Sequence, residues 1–292
     1  MRLIKPSVEI LPYITDIGFN NIIEGNKDIL LEGIFNQIEV AGRTCFKSED
    51  KITKDSAEKF VEMIKKNGHT AMLEHGTVYL EMLSNNQHLY KYTFNPYSRV
   101  KKHRLSNGAE VAYITTNYRV LYEHELLDDL QYLCEPTEFH KKRISVRFVC
   151  DKGTAYQLKS HRVFSFVDDS ENYDFKVFKN ISKSEDQRQR CMMVNEITFI
   201  EPCWEIDKEN IFMTSLEYAE KDYFTLLEYG WKPQQARSVL PNDLKTEVVM
   251  TGFVSDWKHF FELRCSKDAH PSMQELAVPL KQMFIDREYI KE

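Results

Sequence analysis

The chain has 292 residues, of which 42% are hydrophobic and 12% aromatic, so it can bury a core in one large domain or two small ones. Its formal net charge of −6 argues against nucleic acid as a partner, because nucleic acids bind basic faces. Six scattered cysteines without C-x-x-C spacing, and no run of 18 apolar residues, predict reduced thiols, a cytoplasmic location and no membrane partner.

Two elements are predicted in the first third of the chain. The segment Asp55-Ser-Ala-Glu58 has the cap pattern of a helix start, and Asn67-Gly68 has the pattern of a helix end. Between them, three apolar residues fall on one helical face: Phe60, Met63 and Ile64. The segment from Thr77 to Leu83 alternates between apolar and polar residues, which predicts a strand.

Three residues between that helix and that strand have the side chains of metal ligands, namely His69, Glu74 and His75. The two histidines are six positions apart and do not share a helix face as those of H-E-x-x-H do. We therefore interpret Glu74 and His75 as residues that fix the junction between the helix and the strand. No metal site is predicted.

The middle of the chain holds the densest group of chemically active residues. A strand is predicted from Ile144 to Cys150, and the segment Gln157-Leu-Lys-Ser-His-Arg162 follows it, with Ser170 and Tyr173 close behind. This neighbourhood combines a base, cations, a hydroxyl and an aromatic ring, which favours a site for an anion and a ring. The alternative is a surface helix end. The polar residues from Asp174 to Arg190 predict a loop or insertion.

The C-terminal half is predicted to be mainly helical. Residues Ser215 to Tyr229 have apolar side chains at helical spacing, and Gly230 ends the pattern. A longer helix, interrupted near Gly252, is predicted from Leu244 to Leu263. The chain has no internal repeat and no low-complexity linker, which favours one α+β domain over residues 1–292.

Two arginines of that half lie among apolar residues. Arg237 belongs to the run Ala236-Arg-Ser-Val-Leu-Pro241, and Arg264 ends the run Trp257-Lys-His-Phe-Phe-Glu-Leu-Arg264. A buried guanidinium needs an anion or an acceptor, which either an internal carboxylate or a ligand provides. A phosphate or a pyrimidine edge suits the guanidinium fork, and Ser170 is a further donor to the same anion.

Several enzyme classes are disfavoured because their motifs are missing. The ten glycines fit neither the G-x-G-x-x-G of dinucleotide-binding folds nor the G-x-x-x-x-G-K-[ST] of P-loop enzymes. The chain also lacks G-x-S-x-G, and Arg162 directly after His161 opposes the imidazolium that a serine hydrolase forms.

Taken together, these segments resemble the flavin-dependent thymidylate synthase family. The family signature R-H-R-x7-S corresponds here to Ser160-His161-Arg162 followed by Ser170. Further blocks resemble the family in the same order along most of the chain: Arg43-Thr-Cys-Phe-Lys-Ser-Glu49, Gly68-His-Thr-Ala-Met-Leu-Glu-His75, Cys150-Asp-Lys-Gly153, Asn195-Glu-Ile-Thr-Phe199, Ala236-Arg-Ser-Val-Leu-Pro241 and His259-Phe-Phe-Glu-Leu-Arg264. Several blocks in one order are more specific than a single motif.

The resemblance implies an α+β fold and a homotetramer in which FAD lies at the subunit junctions. It also implies that dUMP is methylated to dTMP, with methylenetetrahydrofolate as the one-carbon donor. Reduced FAD supplies the hydride, and NADPH reduces the flavin again. The protein's part in such chemistry is to position and polarise the reactants.

Residue roles also follow from the resemblance. The residues expected to bind dUMP are Gln157, Arg162, Ser170, Tyr173, Arg237 and Arg264. The residues expected to bind FAD or to lie against its stack with the folate are His69, His161, Arg162, Asp168 and His259. Arg264 is the expected catalytic residue, because a guanidinium beside the pyrimidine N3 lowers the pKa of that imide and favours its anion.

The chain departs from the family pattern at several ligand positions. Ser160 and Asn172 replace arginines, and the other departures are Ala71 for a hydroxyl residue, Phe253 for an asparagine and Asp268 for a histidine. Asp168 and Asp169 also add negative charge near the expected phosphate. Two like unit charges repel by about 4 kcal/mol at close range and an effective dielectric of 20.

These departures leave two interpretations. In the first, the chain is a divergent synthase in which Lys159, Arg188 or Arg190 supplies the missing cations. In the second, it is a catalytically impaired family member that acts as a nucleotide-binding or assembly protein.

Overall fold

The computed structural model describes residues 1–12, 26–169, 196–204 and 211–291. Helices and strands are interleaved along these residues. The strands are β1 (Arg2–Ile4), β2 (Ser7–Ile10), β3 (Thr77–Leu83), β4 (Arg99–Arg104), β5 (Glu110–Asn117), β6 (Arg143–Asp151), β7 (Ser165–Asp168), β8 (Thr198–Ile200) and β9 (Lys245–Phe253). The helices are α1 (Lys27–Phe46), α2 (Ala57–Lys66), α3 (Leu89–Thr93), α4 (Tyr118–Glu123), α5 (Lys152–Lys159), α6 (Ile211–Glu228), α7 (Pro233–Ala236), α8 (Val254–Arg264) and α9 (Pro271–Asp286).

The sheet that carries most of the candidate site has four antiparallel strands in the order β2-β6-β9-β7. β6 pairs with β9 along its whole length, and the register places Arg143 opposite Phe253. One face packs on α5, α8 and α9, where Trp257 is fully buried. The other face reaches α1 through Val249 of β9. The sheet therefore holds β6, the strand that precedes α5, next to β9, the strand that precedes α8.

The predicted long helix from Leu244 to Leu263 is wrong in its first half. Residues Lys245–Phe253 form β9, and the helix is confined to Val254–Arg264. β9 lies between β6 and β7, and its residues from Val248 onward are all buried, so they do not alternate between a core face and a solvent face. A short continuous apolar run cannot be assigned to strand or helix by periodicity alone.

Two smaller sheets complete the described residues. The antiparallel sheet β3-β5-β4 shares an apolar core with α1 and α2. β1 and β8 form a parallel pair, and Phe199 of β8 packs with Leu216 and Tyr223 of α6 in a third cluster. A 3-10 helix, Thr70–His75, contacts both α1 and β7 and so links the first core to the four-stranded sheet.

Most predicted elements of the first half are confirmed, since α2, β3 and β6 lie where the sequence pattern places them. Gly68 follows the end of α2 with φ of 72°, a conformation that glycine adopts readily. The predicted capping pattern at the start of α2 is wrong. Ser56 precedes the helix without capping it, and its hydroxyl donates instead to Glu39 Oε2 at 2.8 Å.

In the second half, α6 confirms the predicted helix and Gly230, with φ of 85°, follows its end. β8 and β9 interrupt the half that the sequence predicts to be mainly helical, and α9 adds a helix that the pattern did not predict. The predicted loop from Asp174 to Arg190 lies outside the described residues. Among the helices of the described ranges, none combines the length and apolar character needed to cross a membrane.

Candidate functional site

Arg264, the last residue of α8, is the centre of a polar group that joins two distant parts of the chain. Its Nε donates to His161 Nε2 at 2.8 Å, and its Nη2 donates to the Ser160 hydroxyl at 3.1 Å and to the Gln157 carbonyl at 3.3 Å. The structure thus brings together three of the predicted site residues, Gln157, His161 and Arg264.

The end of α5 explains why these groups face Arg264. Asp151 caps the start of α5 by accepting from the Thr154 amide at 2.7 Å, and the helix ends at Lys159. The last carbonyls of a helix lack the usual partner four residues on, so the Gln157 carbonyl accepts instead from the amide and hydroxyl of Ser160 and from Arg264. A serine at position 160 therefore helps to hold Arg264 in place.

His161 is neutral at physiological pH. Burial, and then the positive charge of Arg264, lower its pKa to about 4. Because its Nε2 accepts a hydrogen bond from Arg264, the proton of the neutral ring lies on Nδ1. The ring packs edge-on against Phe260 of α8, with 5.1 Å between centroids, which fixes its orientation.

The Arg264 guanidinium keeps donors for a ligand. It is half-buried, and burial lowers its pKa from the ordinary value. Of its nitrogens, Nε and Nη2 have the partners given above, whereas Nη1 has none among the described residues. A guanidinium carries five N–H donors in a rigid fork, so the Nη1 side remains able to bind an acceptor on a planar ring.

Asp168 and Asp169 do not face an expected phosphate as free charges. Asp168 pairs with Lys159 at 2.7 Å. Asp169 is buried, with its carboxylate 2.6 Å from Lys47 Nζ and hydrogen-bonded to the Glu247 amide at 2.8 Å. The predicted repulsion is therefore compensated within the protein, and Lys159 is already engaged as the partner of Asp168.

His69 and His259 lie on exposed surfaces. His69 precedes the 3-10 helix Thr70–His75, and its ring is 6.2 Å from that of Phe46. His259 lies on the outer side of α8, where its side chain is 65% exposed and its Nδ1 is 3.3 Å from Glu262 Oε2. His259 is near enough to His161 to contribute to its lowered pKa. The flavin and folate contacts of both histidines stay predictions.

Glu74 and His75 are structural, as the sequence interpretation holds. His75 is fully buried and its Nδ1 is 2.8 Å from the Thr251 hydroxyl of β9, while Glu74 pairs with Arg119 at 2.6 Å. Burial lowers the pKa of His75 to about 3, so the ring is neutral. Within the described ranges, no group of three or more histidine, cysteine or acidic side chains is placed to hold a metal ion.

Other predicted site residues are not brought to Arg264 by the described residues. Arg237 lies on a 3-10 helix, Arg237–Val239, that packs with α6 and α7, and its convergence with Arg264 stays a prediction. Ser170 and Tyr173 lie outside the described residues, as do the two arginines of the predicted loop, Arg188 and Arg190.

Arg162 lies at a cavity of about 170 Å³ that sequence reasoning missed. Arg99 of β4 and Arg143 of β6 also line it, together with Phe253 at the end of β9. One signal was available in the sequence, namely an arginine at the head of the apolar strand β6. Its relation to Arg99 depends on how two sheets lie against each other, because β6 and β4 belong to different sheets.

Comparison with known proteins points to one family. Residues 100–287 match the family model described as "Thymidylate synthase complementing protein". A "Probable flavin-dependent thymidylate synthase" of Paramecium bursaria Chlorella virus 1 is 26% identical over 151 residues, which cover 50% of this chain and 68% of the relative. A "Flavin-dependent thymidylate synthase" of Geobacter sulfurreducens is 26% identical over 137 residues, which cover 44% of this chain and 50% of the relative.

A longer match is found with a "Flavin-dependent thymidylate synthase" of Corynebacterium aurimucosum, which is 25% identical over 243 residues. That match covers 82% of this chain and 72% of the relative. The family model spans α5, the signature segment and α8, which are the elements that assemble the Arg264 group. The chain therefore belongs to the thymidylate synthase complementing protein family.

Proposed function

We propose that the chain is a flavin-dependent thymidylate synthase that methylates dUMP to dTMP, with methylenetetrahydrofolate and NADPH as cosubstrates and FAD as cofactor. Family membership and the names of its relatives support this activity. The observation that carries the proposal is the Arg264 guanidinium, held by His161, Ser160 and Gln157 with one nitrogen left for a ligand.

The role of Arg264 is to stabilise negative charge on the pyrimidine of dUMP. A guanidinium beside N3 favours the imide anion and pushes electron density toward the carbon that is alkylated. His161 positions that guanidinium as a neutral acceptor. An imidazolium there would repel Arg264 and could not accept its Nε–H, so the low pKa of His161 suits the role.

The residues near Arg264 fit a cofactor that carries phosphate. Arg162 is exposed beside the signature histidine, and its side chain has no hydrogen bond or ion pair within the described ranges. His69, His161, Arg162, Asp168 and His259 are the residues that would hold FAD, and Gln157, Ser170, Tyr173 and Arg237 those that would join Arg264 at dUMP. When bound, the reduced flavin supplies the hydride.

Assembly and location follow from the same proposal. We infer a homotetramer in which neighbouring subunits complete the site, because Arg264 adjoins residues of the apolar cluster on the four-stranded sheet, whereas Arg237 adjoins residues of the separate cluster that holds β8 and α6. We also infer that residues 1–292 act as one domain and that the protein is cytoplasmic, where its nucleotide substrates are found.

The test is dTMP formation by purified protein with dUMP, methylenetetrahydrofolate, FAD and NADPH, measured by chromatography. We expect Arg264→Lys to lower turnover about 100-fold, because a lysine keeps the charge but loses the fork that bonds His161 and the pyrimidine together. Arg287→Lys, at the exposed end of α9, is the matched control and should retain full turnover.

Two results would contradict the proposal. Protein that takes up no added FAD and forms no dTMP is not a synthase. Protein that binds dUMP calorimetrically, forms no dTMP and fails to rescue a thymidine-requiring host is a nucleotide-binding family member.

A further inference from the structure

The cavity of about 170 Å³ beside the signature segment is lined by three arginines. They are Arg99 at the start of β4, Arg143 at the start of β6 and Arg162 directly after His161. The other lining residues that the structure describes are uncharged: Pro96, Tyr97, Val163, Gly252 and Phe253. Three positive charges thus converge on a space without a carboxylate in its described lining.

Arg143 is the buried member of this triple-arginine cavity. It is 6% exposed, and its guanidinium bonds to the Glu74 carbonyl at 3.1 Å and to the hydroxyls of Thr77 and Ser165 at 3.4 Å each. These partners are neutral. Burial lowers the pKa of Arg143 to about 10, and electrostatic interactions with Tyr79, Glu74 and Asp256 offset this only in part. A buried charge without an ionic partner is costly, so the site favours an anion.

Arg99 is fixed in place by groups that, among the described residues, carry no negative charge. Its guanidinium lies 4.5 Å from the ring centre of Phe253, and that of Arg143 lies 5.6 Å from the same ring. Nη1 of Arg99 donates to the carbonyls of Pro96 at 2.8 Å and Ser98 at 3.0 Å. Phe253, which departs from the family pattern, is thus a platform for two cations.

Arg162 completes the set from the signature segment. It is exposed, and within the described ranges its side chain has neither a hydrogen bond nor an ion pair. The family's first signature arginine is replaced by Ser160, which here serves Arg264. The signature therefore has one cation fewer, and its remaining arginine, Arg162, shares the cavity with Arg99 and Arg143.

We propose that the triple-arginine cavity binds a phosphate group of FAD or dUMP, and that Arg99 and Arg143 provide the positive charge that Ser160 does not. This inference rests on the proposed function for the identity of the nucleotide. A phosphate has three acceptor oxygens and takes bidentate hydrogen bonds from guanidinium groups, so one phosphate can engage all three arginines.

The test is equilibrium binding, which needs no turnover. The Arg99→Gln and Arg162→Gln variants are titrated with FAD and with riboflavin, and flavin fluorescence reports binding. The same variants are titrated with dUMP and with deoxyuridine in a calorimeter. We expect both variants to bind one of the phosphate-bearing ligands at least about 10-fold more weakly and its phosphate-free analogue unchanged. Arg104→Gln, an exposed arginine at the other end of β4, should change each affinity less than about 2-fold.

The arms of the experiment identify the ligand. Weaker binding confined to FAD assigns the cavity to the diphosphate of the flavin, and weaker binding confined to dUMP assigns it to the substrate monophosphate. The inference is wrong if Arg99→Gln and Arg162→Gln change the affinities for FAD and for dUMP no more than Arg104→Gln does. It is also wrong if wild-type protein binds neither ligand. Arg99 is half-buried and Arg162 exposed, so the test does not depend on replacing buried Arg143.

Failure of the inference and failure of the proposed function give different results. If wild-type protein forms dTMP while Arg99→Gln and Arg162→Gln bind as wild type does, the function stands and the inference is wrong. If binding depends on Arg99 and Arg162 but no dTMP forms, the cavity stands and the synthase activity is wrong.

Discussion

Asp169 lies directly before Ser170 in the sequence, where its charge would repel the expected phosphate. In the structure, its buried carboxylate is paired with a lysine instead. Lys47 lies between Asp169 and Glu247, at 2.6 and 2.7 Å, and Lys245 also contacts Glu247. Two lysines and two carboxylates thus form a largely buried group without net charge. The residue before Ser170 is thereby tied to the end of α1 and to β9.

We expect Asp169→Asn to lower the free energy of unfolding by about 3 kcal/mol, because buried Lys47 loses one of its two carboxylates. Urea unfolding measures this, and the double variant Asp169→Asn with Lys47→Met should cost less than the sum of the single changes. Glu110→Gln is the control, since its pair with Lys102 at 3.8 Å is exposed and should contribute little to the free energy of unfolding. If Asp169→Asn and Glu110→Gln lower the free energy of unfolding equally, then the buried ion pairs stabilise the protein no more than an exposed pair does.

At the scale of elements, β9 shapes the site through close packing. A Cβ on Gly252 would lie 2.2 Å from Phe164 Cδ1, closer than two carbons can approach. Phe164 in turn packs on Trp257, with 4.7 Å between ring centroids, and lies near His161. The sequence presents Gly252 as an interruption of a helix, whereas the structure uses it to admit an aromatic ring against a strand.

Gly252→Ala should therefore destabilise the protein by about 2 kcal/mol through overpacking. Phe164→Leu, which is smaller, should recover part of this stability when it is combined with Gly252→Ala, although it is destabilising alone. Thermal and urea unfolding measure both effects. Strictly additive changes would mean that the two residues do not compete for the same space.

For the molecule as a whole, the sequence predicts single helices and strands, and the family motif predicts which distant residues share a site. β3 and β6 were predictable because alternating residues divide between two environments, and α2 because its apolar residues share one face. The resemblance to a known family placed His161 and Arg264 at one site, against the flavin and dUMP respectively, but it did not predict the hydrogen bond between them. The triple-arginine cavity was not expected, because only the pairing of β6 with β9 and the placement of β4 bring its residues together.

Stability of the whole molecule should fall in mild acid because of His75. Burial, and then the charge of Arg143, lower its folded pKa to about 3, against an ordinary value of 6.5. Above pH 6.5 the ring is neutral in both states and its contribution is fully present. As the pH falls toward 3, the unfolded chain binds a proton that the folded chain excludes, and by pH 4 this costs on the order of 3 kcal/mol.

The half-buried ring of His161, with a folded pKa of about 4, should act in the same direction but less strongly because solvent screens it. Carboxylates also titrate in acid, so the contribution of His75 is measured as the difference in pH dependence between wild type and a His75 variant. Urea midpoints between pH 7 and pH 4 should vary less for His75→Asn than for wild type, since an amide can still bond Thr251 but takes up no proton. His103→Asn, at an exposed position of β4, should keep the wild-type dependence. If the urea midpoint of His75→Asn varies with pH as much as that of wild type, then His75 is protonated in the folded protein or exposed at low pH.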